Sequence, residues 1–456
     1  MERIQNPRQL AIITLQELEE RGDFLREVLD FHLRKNDLNI LDQGLYTELV
    51  YGTVRMRRNL DYILSLFSSR PLKKVDPHTL HILRTALYQI LYLDRVPQAA
   101  AVNEAVELAR RFGHEGVAKF TNGLLRQAIR KQHTIAYPSL EEDPVEHIGL
   151  RYSFPSWIVQ MWVDQWGSAK TAALCQSMNE PPDMHIRVNT LKTSPAEVRS
   201  HFEEQGAMVK KGRYAPEVLE VSPAHLVVGD PWLNRGMYYI QDESSSLAAH
   251  ALQVEPGQRV YDLCSAPGGK TTHLALLMEN QGHILALDVN ASRLDLVKEN
   301  AQKLGVSIIE TRLGDASRDL ALPPACRVLV DAPCSGLGTM RHRPDIRWRK
   351  TPREVQELAS LQKKILGAAA NYVSPGGLLL YSTCTLTLSE NEDVAGWFLD
   401  THPAFQGHSL PNWLPNAQEL PWMRTFFPDQ HGLDGFFVSS FIRDPISPGV
   451  ANESRS

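Results

Sequence analysis

Cysteine is scarce in this 456-residue chain: Cys175, Cys264, Cys326, Cys334 and Cys384 are an odd number with no CxxC pair among them. That scarcity excludes a disulfide framework and a cysteine-rich zinc site, and it points to a reducing compartment, the cytoplasm. No apolar run approaches the roughly 18 residues that a spanning helix requires, so no membrane partner is expected. The start, Met1-Glu2-Arg3-Ile4-Gln5 before Asn6-Pro7, lacks the apolar stretch of a signal peptide. What is present is ordinary for a globular protein: 43% hydrophobic and 22% charged residues, which exclude general disorder and a fibrous repeat. At roughly 100–200 residues per domain, two to four domains are expected.

The net charge of −5 hides an uneven distribution. Tyr51 to His133 holds 14 Lys/Arg against 6 Asp/Glu, Arg341 to Lys364 holds 8 against 3, and Glu390 to Ser456 holds 3 against 9. Phosphate contacts are local and screened within about 10 Å, so basic clusters can attract a polyanion whatever the total. The competing reading is a solvated basic face.

Residues 1–135 read as a helical bundle. Leu80, Leu83, Leu87 and Leu91 repeat at helical spacing, as do Val102, Ala105, Val106 and Ala109, with a turn at Asp94-Arg95-Val96-Pro97. Ala136 to Pro144, polar and acidic with two prolines, reads as a linker. A small α/β unit is expected over 150–235, with a helix around Trp157, Met161, Val163 and Trp166 closed by Gly167, and a strand at His185–Asn189. From Gly236 to 445, short apolar strands at Val260–Leu263, Ile284–Leu287, Ser307–Ile309, Val328–Val330 and Leu378–Tyr381 alternate with helical stretches. That alternation predicts a parallel sheet with ligands at the carboxyl ends of its strands. Phe436–Ile442 reads as an extra strand and 446–456 as a frayed tail.

The first of these strands runs into Asp262-Leu263-Cys264-Ser265-Ala266-Pro267-Gly268-Gly269-Lys270-Thr271-Thr272 and opens a helix. Glycines allow a ligand close to the backbone, and a helix start offers free N–H groups. A Walker phosphate loop needs glycine where Cys264 stands, and the pattern G-x-G-x-x-G is absent. Asp288, 19 residues after Gly269, sits where a carboxylate accepts from ribose hydroxyls, and Asp315 one strand further on. Ribose and base without pyrophosphate suggest S-adenosylmethionine (AdoMet); the alternative for each aspartate is a helix cap or turn.

Two more strand ends carry cysteine, in Asp331-Ala332-Pro333-Cys334-Ser335-Gly336 and in Ser382-Thr383-Cys384-Thr385. A lone cysteine is usually a small buried hydrophobe. Two at neighbouring strand ends would face one cleft.

With these motifs in order, the chain resembles the NOL1/NOP2/Sun family of RNA cytosine-5 methyltransferases, almost end to end. Glu48-Leu49-Val50-Tyr51-Gly52-Thr53-Val54-Arg55 and Leu91-Tyr92-Leu93-Asp94-Arg95-Val96-Pro97 resemble the NusB-like domain of the bacterial Sun branch, which methylates small-subunit ribosomal RNA. Arg187-Val188-Asn189-Thr190 and Gln241-Asp242-Glu243-Ser244-Ser245 resemble its pre-catalytic signatures. The resemblance implies an all-α NusB-like bundle, a small ferredoxin-like α/β domain, and a Rossmann-like methyltransferase domain. It also implies AdoMet as methyl donor, S-adenosylhomocysteine as product, no metal, a monomer, and 16S ribosomal RNA as substrate. The AdoMet-binding residues it implies are Cys264, Ser265, Ala266, Pro267, Gly268, Gly269 and Lys270, with Asp288 for ribose, Asp315 beside adenine and Asp331 near the methyl donor. Cys384 matches the family's nucleophile and Cys334 its product-release cysteine. Ser265 and Thr385 stand where alanine and serine are common, and neither change removes a reacting atom.

Cytosine C5 is too weakly nucleophilic to take a methyl group directly, and a thiolate adding at C6 pushes electron density to C5. Asp331 is expected to bond the N3/N4 edge and Lys270 to orient the base. Arg341, Arg343, Arg347 and Trp348, cations interleaved with an aromatic directly after the Pro-Cys loop, are expected to grip RNA; a plain surface loop is the alternative. Rival functions are a non-catalytic RNA-binding assembly factor, which would not need both cysteines, and a nucleoside-triphosphate hydrolase, disfavoured by Cys264.

Overall fold

A computed structural model describes residues 4–415 and 420–445, so the expected tail at 446–456 lies outside the described residues. Contacts divide the chain into two units: Met1–Glu180 with Met340–Arg349, and Pro181–Thr339 with Lys350–Ser456.

The first unit is helical. Helices Pro7–Arg21, Leu25–Lys35, Ile40–Arg55, Arg57–Phe67, Gln98–Phe112 and Glu115–Lys131 share one apolar core with the helix Pro77–Tyr92. That last helix buries nearly every residue from Thr79 to Ile90, as the central helix of a bundle does, with His81, Arg84, Thr85 and Gln89 among the buried residues. Asn6 and Asp76 cap their helices by accepting from backbone N–H groups, with proline at the first helical position in both. Gly52 lies where a Cβ would meet the Tyr88 ring at 2.0 Å, and the Tyr88 hydroxyl donates to Glu48 Oε1 at 2.5 Å. Gly52→Ala should therefore displace a core ring and its hydrogen bond. Thermal unfolding should show a loss of about 1–3 kcal/mol, as for other overpacked cores.

Three of the Tyr51–His133 cations are held in ion pairs within the unit. Arg84 forms a two-pronged pair with Asp61 at 2.6 and 2.8 Å, Arg58 reaches Glu146 at 2.7 Å, and Arg110 pairs with Glu107 and Glu115. The stretch expected as a linker is anchored: Tyr137 stacks on Tyr62, its hydroxyl accepts from Asn59 Nδ2 at 2.7 Å, and the Tyr62 hydroxyl donates to Ala136 O. Helices Pro144–Arg151 and Ser156–Ser177 follow, the second broken at Gly167 (φ 78°), where the glycine was expected to end it. In contact terms the boundary falls after Glu180.

The second unit holds two sheets. In the smaller, β1 (His185–Val188), β2 (Met208–Lys211), β3 (Val218–Ser222) and β4 (Tyr238–Ile240) are antiparallel in the order β2-β3-β1-β4. The helix Pro195–Glu204 covers it, started by a reciprocal cap between Ser194 and Glu197.

The larger sheet contains β5 (Arg259–Asp262), β6 (His283–Asp288), β7 (Ile309–Leu313), β8 (Ala325–Asp331), β9 (Val373–Thr383), β10 (Phe405–Gly407), β11 (Met423–Phe426) and β12 (Phe436–Arg443). Its order is β10-β12-β9-β8-β5-β6-β7, with β11 also on β12. The run from β9 to β7 is parallel, and β12 joins antiparallel to β9. Alternate residues feed opposite cores: Val260, Ile284, Leu329 and Leu380 pack on one side, Tyr261, Leu285, Val330 and Tyr381 on the other. Connections leave β5 toward β6 and β7 and return on its other side at β8. The carboxyl ends of β5 and β8 are thus the switch point, where open α/β sheets bind ligands.

Candidate active site

The cofactor-type loop begins at β5. Gly268 has φ 100°, and a Cβ there would lie 3.1 Å from Val297 Cα, so only glycine makes this turn before the helix Gly269–Leu277 without strain. Ser265 donates from both amide and hydroxyl to Leu287 O, Arg293 Nη2 donates to Ala266 O at 2.8 Å, and Asn300 donates to Pro267 O at 2.9 Å. Asp288 ends β6 with its carboxylate accepting from the Ala266 and Asn290 amides. The loop and Asp288 therefore form one rigid edge. Asp315, after β7, accepts from the amide and hydroxyl of Ser317, which hold its carboxyl below its usual range. Its ion pair with Arg318 is exposed, so in this structure it closes a local turn.

Asp262 is fully buried beneath the loop, and burial pushes its carboxyl up to about 7, against the bond from the Thr271 hydroxyl at 2.7 Å. A carboxyl raised in the native state keeps its proton where the unfolded chain has lost it. Its contribution is complete below about pH 4 and is lost as pH rises through about 7. Asp262→Asn should flatten the fall of thermal midpoint between those values; an unchanged slope would refute the protonated carboxyl.

The thiols meet. Cys334, after β8, and Cys384, after β9, have Sγ atoms 3.3 Å apart although 50 residues separate them in the chain. The hydrogen bond with Cys384 and then burial push the Cys334 thiol well above its ordinary range. Lys270 Nζ donates to Asp331 Oδ2 at 2.8 Å, and Ser382 Oγ donates to Asp331 Oδ1 at 2.8 Å. Burial works against the Lys270 ammonium, but Asp331, with Cys384 and Asp262, raises its pKa overall. Cys264, in contrast, is pushed well up by burial and then by Asp262, so it remains a thiol.

Residues 249–442 match the family described as 16S rRNA methyltransferase RsmB/F, residues 5–130 match the NusB family, and residues 154–227 match a ferredoxin-like domain of the RsmF/B-like methyltransferases. A Bacillus subtilis relative named "Probable ribosomal RNA small subunit methyltransferase B" is 37% identical over 95% of this chain and 98% of its own. The chain belongs to the RsmB/F family of 16S rRNA methyltransferases. A relative from Klebsiella pneumoniae, "Ribosomal RNA small subunit methyltransferase B", is 32% identical over 96% of this chain and 98% of its own. The solved structure titled "Crystal Structure of PH0851" superposes with a TM-score of 0.78 at 28% identity, covering 96% of this chain and 100% of that one. This RsmB/F-family chain is thus an rRNA methyltransferase, built from a NusB-type helical domain, a ferredoxin-like domain and a mixed-sheet domain.

Four features of the RsmB/F site had no role assigned to them from sequence. Glu390 is fully buried and accepts from the Ser335 amide at 2.7 Å, the Ser335 hydroxyl at 2.5 Å, Gln362 at 3.0 Å and Thr387 at 2.8 Å. Thr385 joins the Ser335 hydroxyl at 2.7 Å, so the residues following both cysteines are tied together. Gly338 N–H donates to Cys384 O at 3.0 Å, in a passage so tight that a Cβ on Gly338 would lie 1.9 Å from Gly435 O. Arg187, inside the resembling Arg187–Thr190 signature, is fully buried and donates to Gln241, to Gly269 O at 2.6 Å and to Thr272 Oγ1 at 3.0 Å. The only available signal was polar residues inside apolar stretches.

The expected RNA grip needs correction. The segment Met340–Arg349 belongs to the helical unit. Arg347 is fully buried, donating to Arg55 O, Ser153 O and Asn179 Oδ1 and lying 3.9 Å from the Phe154 ring centroid. Trp348 donates its indole N–H to Val54 O at 2.7 Å and is covered by Arg57, so its ring is already stacked. Arg341 is buried with its carbonyl accepting from Arg55. Arg343 alone of the four is exposed. Cations that satisfy interior carbonyls are not available to phosphate.

Proposed function

We propose that this rRNA methyltransferase transfers the methyl group of AdoMet to C5 of a cytosine in small-subunit rRNA, through a covalent bond between Cys384 and C6. The observation that carries this reading is the pair of sulfurs 3.3 Å apart beside the Lys270–Asp331 pair. The cofactor edge supports it: the Gly268 turn admits no side chain, and Asp288 stands at the neighbouring strand end with its carboxylate fixed. AdoMet, when bound along Cys264–Lys270 and Asp288, supplies an electrophilic methyl on a sulfonium.

The protein's own groups divide the remaining work. The hydrogen bond with Cys384 and burial favour the neutral Cys334 thiol, and Cys384 is the sulfur assigned the negative charge in this mechanism. The Lys270 ammonium is stabilised by that charge and favours it in return. The Cys384 thiolate adds to C6, and the electron pair of the C5–C6 bond becomes available at C5 for attack on the methyl. Asp331, oriented by Lys270 and Ser382, is positioned to bond the N3/N4 edge as charge develops there. After methylation water takes the C5 proton, the C–H electron pair re-forms the C5–C6 double bond, and the Cys384 sulfur leaves C6 as thiolate with its bonding pair. Cys334, touching the departing sulfur, assists that release. The target base must leave its stack to reach this cleft, at a cost of a few kcal/mol.

The experiment is direct. 5-Methylcytosine is mapped in small-subunit rRNA from cells with and without the gene, and one cytosine should lose its methyl group in the deletion and regain it on complementation. An rRNA in which the deletion removes a methyl group from another base or another atom overturns the cytosine-C5 assignment.

A further inference from the structure

Away from the thiols, three side chains far apart in sequence converge. Glu217 immediately precedes β3, His250 stands near the end of the helix Glu243–Ala251, and His273 lies in the helix Gly269–Leu277 that the cofactor loop opens. The Nε2 atoms of His250 and His273 each approach Glu217 Oε1 to 2.9 Å. The two imidazoles meet edge to face with centroids 5.2 Å apart. Side-chain exposure is 8% for Glu217, 15% for His250 and 0% for His273.

Hydrogen bonding explains only part of this cluster. His250 bonds Glu217, and His273 Nε2 shares the same carboxylate oxygen at 2.9 Å, which leaves the buried His273 Nδ1 without a partner. A buried imidazole in that condition is costly, and such groups ordinarily have a partner. A cavity of about 230 Å³ borders the trio, bounded further by Thr190, Pro216 and Leu277.

We propose that Glu217, His250 and His273 bind one divalent transition-metal ion of the zinc class, with water from the adjoining cavity completing its coordination. Donor atoms 2.9 Å apart correspond to two ligands at about 2.0–2.1 Å subtending roughly a right angle. Two imidazoles and one carboxylate suit Zn2+ or Co2+, whereas Ca2+ and Mg2+ prefer oxygen alone. The ion would clamp the entry to β3, the helix Glu243–Ala251 and the helix behind the cofactor loop, a structural role distinct from methyl transfer. No CxxC or close histidine pair announces it, because the ligands come from three separate elements.

The test uses the full-length protein stripped by chelator and titrated with Zn2+ by calorimetry and with Co2+ by visible absorption. One ion should bind per chain, and the thermal midpoint should rise with Zn2+. Glu217→Gln and His250→Ala should each weaken binding by about tenfold or more and remove the thermal response. Cys384→Ala should bind as the parent does, which separates this site from the paired thiols. Should both ligand variants fail to fold, the Co2+ spectrum of the parent decides, since nitrogen and oxygen donors give ligand-field bands without thiolate charge transfer. Absent binding, equal binding in a folded His250→Ala, or a thiolate signature lost in Cys384→Ala would each overturn the proposal.

Discussion

Cys384→Ala should lower methyl transfer to rRNA by about three orders of magnitude or more while AdoMet affinity is unchanged. In the proposed mechanism the thiol attacks C6, and the groups proposed to hold the cofactor, Cys264–Lys270 and Asp288, do not include it. Alanine fills less space at a half-buried strand end whose backbone is held by Gly338, so folding should survive. Methyl incorporation and equilibrium AdoMet binding are measured on the same preparation. Turnover retained in the variant removes Cys384 as nucleophile; turnover and AdoMet binding lost together show a collapse of the site.

The second large effect concerns release. With sulfurs 3.3 Å apart, Cys334 is in contact with the Cys384 atom that, in the proposed mechanism, departs from C6. Cys334→Ala should therefore permit attack but stall elimination, and a protein–RNA complex resistant to denaturation should accumulate when AdoMet is present. The double variant Cys334→Ala/Cys384→Ala should show none, because no thiolate remains to form the bond. Denaturing electrophoresis separates these cases. A complex formed by Cys384→Ala alone would exchange the two roles, and a complex formed by the double variant would refute a cysteine adduct. If neither single variant cross-links, the pair is buried sulfur without this chemistry.

Local pattern carried much of the architecture. The mainly apolar runs at Val260–Leu263, Val328–Val330 and Leu378–Tyr381 appear as β5, β8 and β9, because strands buried on both faces are near-continuously apolar, with Asp262 the buried exception. The expected strand Ser307–Ile309 is instead β7 at Ile309–Leu313. The Asn280 side chain bonds the Ser307 amide and hydroxyl, holding that residue in the turn. The strand itself lies at the sheet edge, where Glu310 and Arg312 break the apolar signal. β10 and β11 left no readable signal either, since both are short and pair only with the distant β12.

By itself the sequence determined the helical first third, the parallel strand series and the three loops that carry the cofactor edge and both cysteines. Each depends on residues near one another in the chain: a hydrophobic period, a glycine before a helix, a cysteine after a strand. Only the tertiary structure decided what depends on contact between distant positions. It placed the two thiols at 3.3 Å, set Glu390 as the acceptor joining their loops, and gathered Glu217, His250 and His273. It also turned Arg347 and Trp348 from an expected RNA grip into interior anchors, because carbonyls at Arg55, Ser153 and Val54 accept their N–H groups. Charge and aromaticity are properties of a residue; whether they face solvent or unsatisfied carbonyls is settled by which backbone the fold brings alongside.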